Sequence, residues 1–362
     1  MSKPILSFPH MGDYSIPVKY LLSHIVDVNI LVAPKITSKT IELGTKYSPE
    51  FVCIPFKYTL GTFIEALDKG ANILLQAGGG CRYGYYCELQ EKILRDLGYD
   101  FTYINLVTKG KTSPKKIYRE FKKIDSKFKV IPALYYLLIT KQMVKYMDKM
   151  DGFIRKNIGF EVENGSFEML KDEMLLSFST VKNPISLFLR YRKYYRKFKK
   201  LEIYKKRDRI RVGVIGELYT LMEPFANYYL EKELASFGIE IKRYTNAHYL
   251  LFEKKRGMRK YLKYIKGLVK YPMGADATDN IGRTKYLCEH KYDGIIHIKS
   301  SFCTPEIGAM PIINKICKDY EVPVIFMSFD SATSEVGIKT RIEAFYDMIE
   351  MRKKNEELLF RN

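Results

Sequence analysis

The chain has no run of about eighteen apolar residues, so no helical membrane span is expected. Its first residues, Met1-Ser2-Lys3-Pro4, lead straight into a strand-like segment and show no signal-peptide pattern, which makes a cytoplasmic protein the expectation. Cysteine is scarce, with six in 362 residues. In a reducing compartment such thiols are not expected to pair as disulfides; they act as ligands, as reactive groups or as buried side chains. The sequence holds no C-x₂-C pair and no Cys/His knuckle, which argues against structural zinc. Cys288-Glu289-His290 is one short Cys-x-His element and reads as structural. The five histidines do not cluster, and no Ser/His/Asp order is legible. Gly110-Lys111-Thr112 imitates the end of a P-loop, but the first glycine of that motif falls on Asn105. If ATP is needed, a separate protein is expected to hydrolyse it. No CoA-binding fingerprint is readable either.

Acidic residues are also in deficit: 41 Asp and Glu stand against 61 Lys and Arg, a formal net charge of +20. The excess is local. Residues 182–211 hold thirteen basic and two acidic side chains, and residues 250–271 hold eight and one. These two segments account for +18 of the total, and the rest is close to neutral. Such patches favour an anionic partner: an acidic protein face, a phosphorylated ligand, nucleic acid or a membrane surface. Tyrosines are interleaved with the basic residues, as in nucleic-acid binders, but no recognition module accompanies them. A solvated helix face with snorkelling lysines explains the same pattern.

What is present is alternation. In residues 4–106 the runs Ile5–Phe8, Val28–Val32, Phe51–Cys53, Ile73–Leu75 and Phe101–Ile104 read as strands. Helical patterns near 15–25, 57–69 and 84–97 lie between them, with Gly70 and Gly98 at the expected helix C-caps. Residues 113–205 lose the strand signal and read as helices, the last spanning about 185–204. Alternation resumes at Arg211-Val212-Gly213-Val214-Ile215-Gly216, with strands expected at 239–241, 294–298 and 322–326 and helices near 224–236, 248–270, 279–290, 305–319 and 339–357. The expected fold is α/β, two doubly wound Rossmann- or flavodoxin-like parallel-sheet halves with a helical middle. The expected divisions are 1–112 as an N-terminal cluster-binding domain, 113–208 as a basic helical insert or linker, and 209–362 as a C-terminal α/β domain.

Three cysteines stand out. Cys53-Ile54-Pro55 and Cys303-Thr304-Pro305 both place proline two residues after cysteine, after an apolar run and before a helical pattern. Cys81 closes Gly78-Gly79-Gly80-Cys81 after the strand-like 72–76. Strand ends in an open α/β sheet line its ligand crevice, so the three are expected to converge in one cleft. A helix N-terminus also favours a thiolate. Free cysteine is commonly buried, so each taken singly could equally be a core residue. Together they point to an iron–sulfur cluster, which tolerates widely spaced thiolates and as few as three of them. Cys87, six residues past Cys81, is a possible fourth ligand or a resolving thiol. Cys317, in the stripe Ile313, Ile316, Tyr320, reads as core. No catalytic residue is assigned.

These residues resemble the D-component family of 2-hydroxyacyl-CoA dehydratases, most closely its single-chain, activase-related, double-cubane relatives. The first motif is Cys53-Ile54-Pro55-Phe56-Lys57 with Gly61 and Ala66-Leu67-Asp68-Lys69-Gly70. The second is Gly80-Cys81-Arg82-Tyr83-Gly84-Tyr85-Tyr86 with Leu89-Gln90-Glu91. Gly213-Val214-Ile215-Gly216-Glu217-Leu218-Tyr219, Phe302-Cys303-Thr304-Pro305-Glu306 and Thr340-Arg341-Ile342-Glu343-Ala344-Phe345 follow in the family's order. The resemblance implies a [4Fe-4S] cluster held by three cysteines, or a fused double-cubane [8Fe-9S] cluster needing further ligands. It implies a separate ATP-hydrolysing activator that injects one low-potential electron. It implies a CoA-thioester substrate dehydrated through a ketyl radical, and either a homodimer or a related second subunit.

Overall fold

The computed structural model describes residues 3–79, 81–107, 112–204 and 208–361. The chain divides into two compact units, Met1–Tyr146 with Glu173–Arg192 and Met147–Asp172 with Lys193–Asn362. Three helices run through the middle of the sequence: α6 (Val130–Asn157), α7 (Ser166–Ser179) and α8 (Pro184–Lys200). Their residues are shared out between the two units.

In the first unit the elements are β1 (Ile5–Phe8), α1 (Ser15–Ile25), β2 (Asn29–Val32), α2 (Ser38–Tyr47), α3 (Ile54–Asp68), β3 (Ile73–Gln76), α4 (Tyr86–Asp96), β4 (Thr102–Asn105) and α5 (Pro114–Ile124). The strands pair in parallel in the order β2-β1-β3-β4, with Leu6 opposite Ile73 and Leu74 opposite Tyr103. Strand side chains alternate between faces. Leu74 therefore joins Phe56, Leu60 and Phe63 of α3, while Ile73 and Leu75 join Leu6, Leu22 and Phe121 on the other side. A strand covered on both faces is a continuous apolar run, as Ile73-Leu74-Leu75 is. Gly70 ends α3 at φ +89°, a left-handed C-cap that glycine adopts at little cost.

Phe51–Cys53 is not a strand. It is the turn between α2, which the sequence pattern does not announce, and α3. Phe51 is exposed, and Pro55 in the first turn of α3 favours helix from Ile54 onward. The two helices cross at glycines. A Cβ on Gly61 would meet the Thr40 carbonyl oxygen at 1.9 Å, and one on Gly44 would meet that of Lys57 at 1.8 Å.

In the second unit the elements are β5 (Ile210–Gly216), α9 (Leu218–Met222), α10 (Leu230–Ser236), β6 (Ile239–Arg243), α11 (Lys254–Ile265), α12 (Ala277–Glu289), β7 (Gly294–Ser300), α13 (Thr304–Asp319), β8 (Val324–Phe329) and α14 (Glu335–Arg361). The order is β6-β5-β7-β8, again all parallel, so each sheet places its second strand outside its first. Val212, Val214, Ile296 and Ile298 face α10 and α14. Ile215 and Ile295 face α12 and α13. The helix expected over 224–236 is broken: Tyr228 and Tyr229 take φ of 54° and 55°, and the Asn227 side chain accepts from Leu230 N at 3.0 Å to restart it as α10. The fold is the two-sheet α/β architecture that the alternation predicts.

Candidate functional site

Cys53, Cys81 and Cys303 share one local position. Cys53 is the N-cap of α3 and Cys303 the N-cap of α13, each with proline in the first helical turn. Cys81 caps the single 3₁₀ turn Arg82–Tyr85. The carbonyl oxygens of all three accept the first bond of their turn, from Phe56 N at 2.9 Å, Ile307 N at 3.0 Å and Gly84 N at 3.0 Å. None uses its sulfur as a side-chain cap. Cys53 and Cys303 thus head the first turn of a full α-helix, a place where negative charge is favoured. Burial separates them from the other cysteines. Cys53 and Cys303 are half-buried and Cys81 is exposed, whereas Cys87, Cys288 and Cys317 are 1%, 5% and 1% exposed.

Cys53 and Cys81 belong to the first unit, Cys303 to the second. Among the described residues no three His, Cys, Asp or Glu side chains gather into a group that could hold a metal ion. Cys81 follows β3 and Cys303 follows β7, as expected of strand-end residues. Cys53 does not, because the segment before it is a turn. Gly80, Gly110 and Lys111 lie outside the described residues, while the Thr112 hydroxyl donates to Leu106 O at 2.7 Å.

Around Cys53 the environment is aromatic. Its Sγ is in contact with the hydroxyl of Tyr86, the first residue of α4. Tyr86 packs edge-on to Phe56, with centroids 4.9 Å apart, and tilted against Tyr83 at 4.5 Å. Burial, and then the nearby Cys53, push the Tyr86 phenol well above its usual range, with Cys81 adding to the effect. One buried hydroxyl therefore senses both cysteines. Behind it lies a buried polar set. The Tyr103 hydroxyl donates to Gln76 Oε1 at 2.6 Å, the Cys87 thiol donates to the same oxygen at 3.6 Å, and Gln90 Nε2 donates to Thr59 Oγ1 at 2.7 Å. Burial pushes the Cys87 thiol up to about 12. Cys317 is raised through a hydrogen bond with Cys288 and by burial, inside the α12–α13 core.

Around Cys303 the environment is ionic. Side chains at alternate positions of β7 share a face, so His297 and Lys299 follow Ile295 on the side covered by α12 and α13. The His297 Nε2 and Glu306 Oε2 atoms are hydrogen-bonded at 2.7 Å, both residues essentially without solvent contact. Asn280 of α12 donates to both oxygens of Glu306, at 3.0 and 3.1 Å, and to Gly216 O at 3.1 Å. Gly216 ends β5 at φ +142°, where a Cβ would meet Ile298 O at 1.8 Å. Thus one buried carboxylate, three residues after Cys303, ties α13 to β7 and to α12, and through Asn280 to β5. Asn280 Oδ1 also accepts from Arg283 at 3.3 Å, and Arg283 lies 3.9 Å from Asp279. Lys299 is 5% exposed; desolvation holds its amine below the usual range, while Cys303, Glu306 and Asp330 act in the opposite direction. The carboxyl of Glu217, N-cap of α9, is pushed up by burial while accepting from Tyr219 N and Thr220 N.

The sequence reading missed Lys299, His297, Asn280, Arg283 and the buried state of Glu306. One signal was available: His297 and Lys299 interrupt an apolar strand at a spacing of two, on a face that should be dry.

The basic segments are partly structural. On α8, Tyr191, Tyr194 and Phe198 are buried, and Lys197 and Lys199 lie over the rings of Tyr194 and Tyr195 at 5.3 and 4.8 Å. No helix among the described residues is long and apolar enough to cross a membrane.

The family model for the 2-hydroxyglutaryl-CoA dehydratase D-component matches residues 165–349, more than half of the chain. The chain belongs to this family. The matched stretch contains Cys303, the Glu306 network and the whole second sheet, while Cys53 and Cys81 precede it. No curated protein matches the chain. It is therefore a protein related to the 2-hydroxyacyl-CoA dehydratases.

Proposed function

We propose that this family member holds a [4Fe-4S] cluster on Cys53, Cys81 and Cys303. In this reading it works in the cytoplasm, accepts low-potential electrons from a separate ATP-hydrolysing activator, and dehydrates a 2-hydroxyacyl-CoA thioester by a radical route. The observation that supports it is the division of the six cysteines. The three that take helix N-cap positions are the three that solvent reaches, and the other three are core. Thiols of that kind, in that number, fit the donor set of an iron–sulfur cluster. Such a cluster supplies one-electron chemistry and, with three thiolates, an open iron that polarises a carbonyl.

The chain's own residues do the rest. The first turns of α3 and α13 favour charged sulfur at Cys53 and Cys303. The Tyr86 hydroxyl lies against Cys53, and the Glu306 carboxylate fixes the turn that carries Cys303. In the net reaction the substrate loses its hydroxyl as water, and the electron it borrows is returned. Cys87, buried and bonded to Gln76, is left out of the proposed ligand set. A homodimer or a related second subunit completes the assembly in this reading.

Iron and sulfide counts after anaerobic purification test it. About four irons per chain are expected. About eight would mean a double cubane and favour an ATP-coupled reductase of small molecules. None would reduce the protein to a basic binding module.

The basic segments are the proposed docking face for the activator rather than for nucleic acid. Reversing Lys193, Arg196, Lys197 and Lys199 to Glu is expected to slow activator-dependent reduction at low salt by about tenfold or more, and added salt should erase the difference. Equal rates in variant and wild type at low salt would place the docking face elsewhere.

A further inference from the structure

One end of the helical middle exposes aliphatic side chains. On α6, Ile131, Leu134 and Leu138 recur at i, i+3 and i+7, one helix face, and Ile131 is 83% exposed. On α8, Ile185 and Leu189 recur at i and i+4, and Ile185 is 72% exposed. Leu176, in the last turn of α7, is equally exposed. All six residues belong to the first unit. The ends that carry them are close together. Arg190 of α8 donates to Ser177 O of α7 and to Thr180 Oγ1, the latter at 2.7 Å. Helix α6 joins them through α1: Tyr136 packs against Tyr20 and His24 with ring centroids 6.2 and 4.4 Å apart, and those two residues line one groove with Ser179 and Thr180. A single exposed leucine needs no explanation, but six aliphatic side chains on neighbouring helix ends mark a contact surface.

The charge around these residues tells what they meet. Each stripe has cations at both ends: Lys127 and Lys129 before and Lys141 and Lys145 after that of α6, Lys182 before and Arg192 after that of α8. All six are exposed, and residues 127–146 and 174–192 hold no Asp or Glu. A second copy of the chain would set these cations against one another, so the face is a poor complement to itself. Protein interfaces are depleted in lysine and enriched in aromatic side chains, methionine and arginine, whereas this face combines lysine with isoleucine and leucine. Those are the components of a helix that lies on a bilayer: aliphatic side chains reach the acyl boundary, and lysine stems carry their ammonium groups back to the lipid phosphates. We propose that this end of the first unit seats the protein on an anionic lipid surface, with α6 and α8 lying against the bilayer rather than crossing it. The contact does not depend on the cluster reading, and the cations tested above for activator docking begin at Lys193, in the second unit.

The test is flotation of the full chain with vesicles of phosphatidylcholine alone and of equal parts phosphatidylcholine and phosphatidylserine. Wild type is expected on the mixed vesicles and off the neutral ones, with added salt weakening the attachment. Net charge alone also adsorbs a protein of +20 to such vesicles, so the deciding variant keeps every charge: Ile131→Ser with Ile185→Ser and Leu189→Ser. Its binding should fall by at least about tenfold, because the apolar area that enters the boundary is lost. The chain contains no tryptophan. Ile131→Trp therefore places a single reporter on the face, and Val336→Trp, at an exposed position of α14 in the second unit, is the control. Brominated acyl chains should quench the first and spare the second. Mixed vesicles that hold the triple-serine variant as well as wild type, or an unquenched Ile131→Trp, would overturn the proposal and leave only surface charge. Wild type that stays off the mixed vesicles at low salt overturns it in favour of an acidic protein partner. A wild-type dimer that Ile131→Ser dissociates overturns it in favour of a second copy.

Discussion

Serine at Cys303 is expected to strip the protein of nearly all its iron, whereas serine at Cys288 or Cys317 leaves iron content unchanged. Cys53→Ser and Cys81→Ser should behave like Cys303→Ser. The reasoning is chemical and positional. A thiolate binds iron far better than a serine hydroxyl; solvent reaches all three N-cap cysteines, and Cys53 and Cys303 head α-helices whose first turns favour charged sulfur. Cys288 and Cys317 sit in one apolar cluster with Ile281, Ile313 and Ile316, where a thiol acts as a small hydrophobe. Serine there buries a hydroxyl and costs stability on the order of 1–3 kcal/mol, with no route to iron. The measurement is iron and acid-labile sulfide per chain, with the visible absorption of each variant after anaerobic purification. A Cys303→Ser protein as brown as wild type would remove Cys303 from the ligand set.

The sequence announced the architecture because parallel strands buried on both faces are short apolar runs, and glycines such as Gly70 punctuate them. It misled at Phe51–Cys53, where three residues of strand-like composition are an exposed turn into a helix that starts at Ile54. It did not show α2, whose crossing with α3 depends on Gly44 and Gly61, and no local pattern marks two glycines as partners across space. The Cys-x-Pro elements were legible because proline after an N-cap is a local rule. The ionic column behind Cys303 was not. His297, Asn280, Arg283 and Glu306 come from three elements, and only the sheet register and the approach of α12 bring them together. Polar residues in a strand or on a helix read as surface until the fold shows what covers them.

Arg283→Ala should cost the second unit about 3–5 kcal/mol, the range for removing one partner of a buried pair. The guanidinium has no solvent exposure, donates to Thr245 Oγ1 at 2.8 Å, and lies between the rings of Tyr249, Tyr244 and Tyr261 at 4.7, 5.6 and 5.8 Å. Alanine leaves a cavity between three tyrosines and strands the Asp279 carboxylate, whose Oδ2 keeps only the Tyr249 hydroxyl at 2.7 Å. Methionine separates the two losses, since it fills much of the space and carries no charge. Burial already pushes the Asp279 carboxyl up, and Tyr249, Arg283 and Lys254 work to lower it while Asp276 works to raise it. Without Arg283 it rises further. A carboxyl whose folded pKa is raised gives stability that is fully present below its unfolded pKa and is lost as pH rises through the folded one. The gap between wild type and Arg283→Met, measured by urea denaturation, should therefore be smaller at pH 5 than at pH 8. Adding Asp279→Asn to Arg283→Met should recover part of the loss and flatten its pH dependence, because a neutral pair leaves no buried charge uncompensated. A gap that is the same at both pH values, and a double variant no better than Arg283→Met alone, would show that packing against the tyrosines, not charge, is what Arg283 contributes.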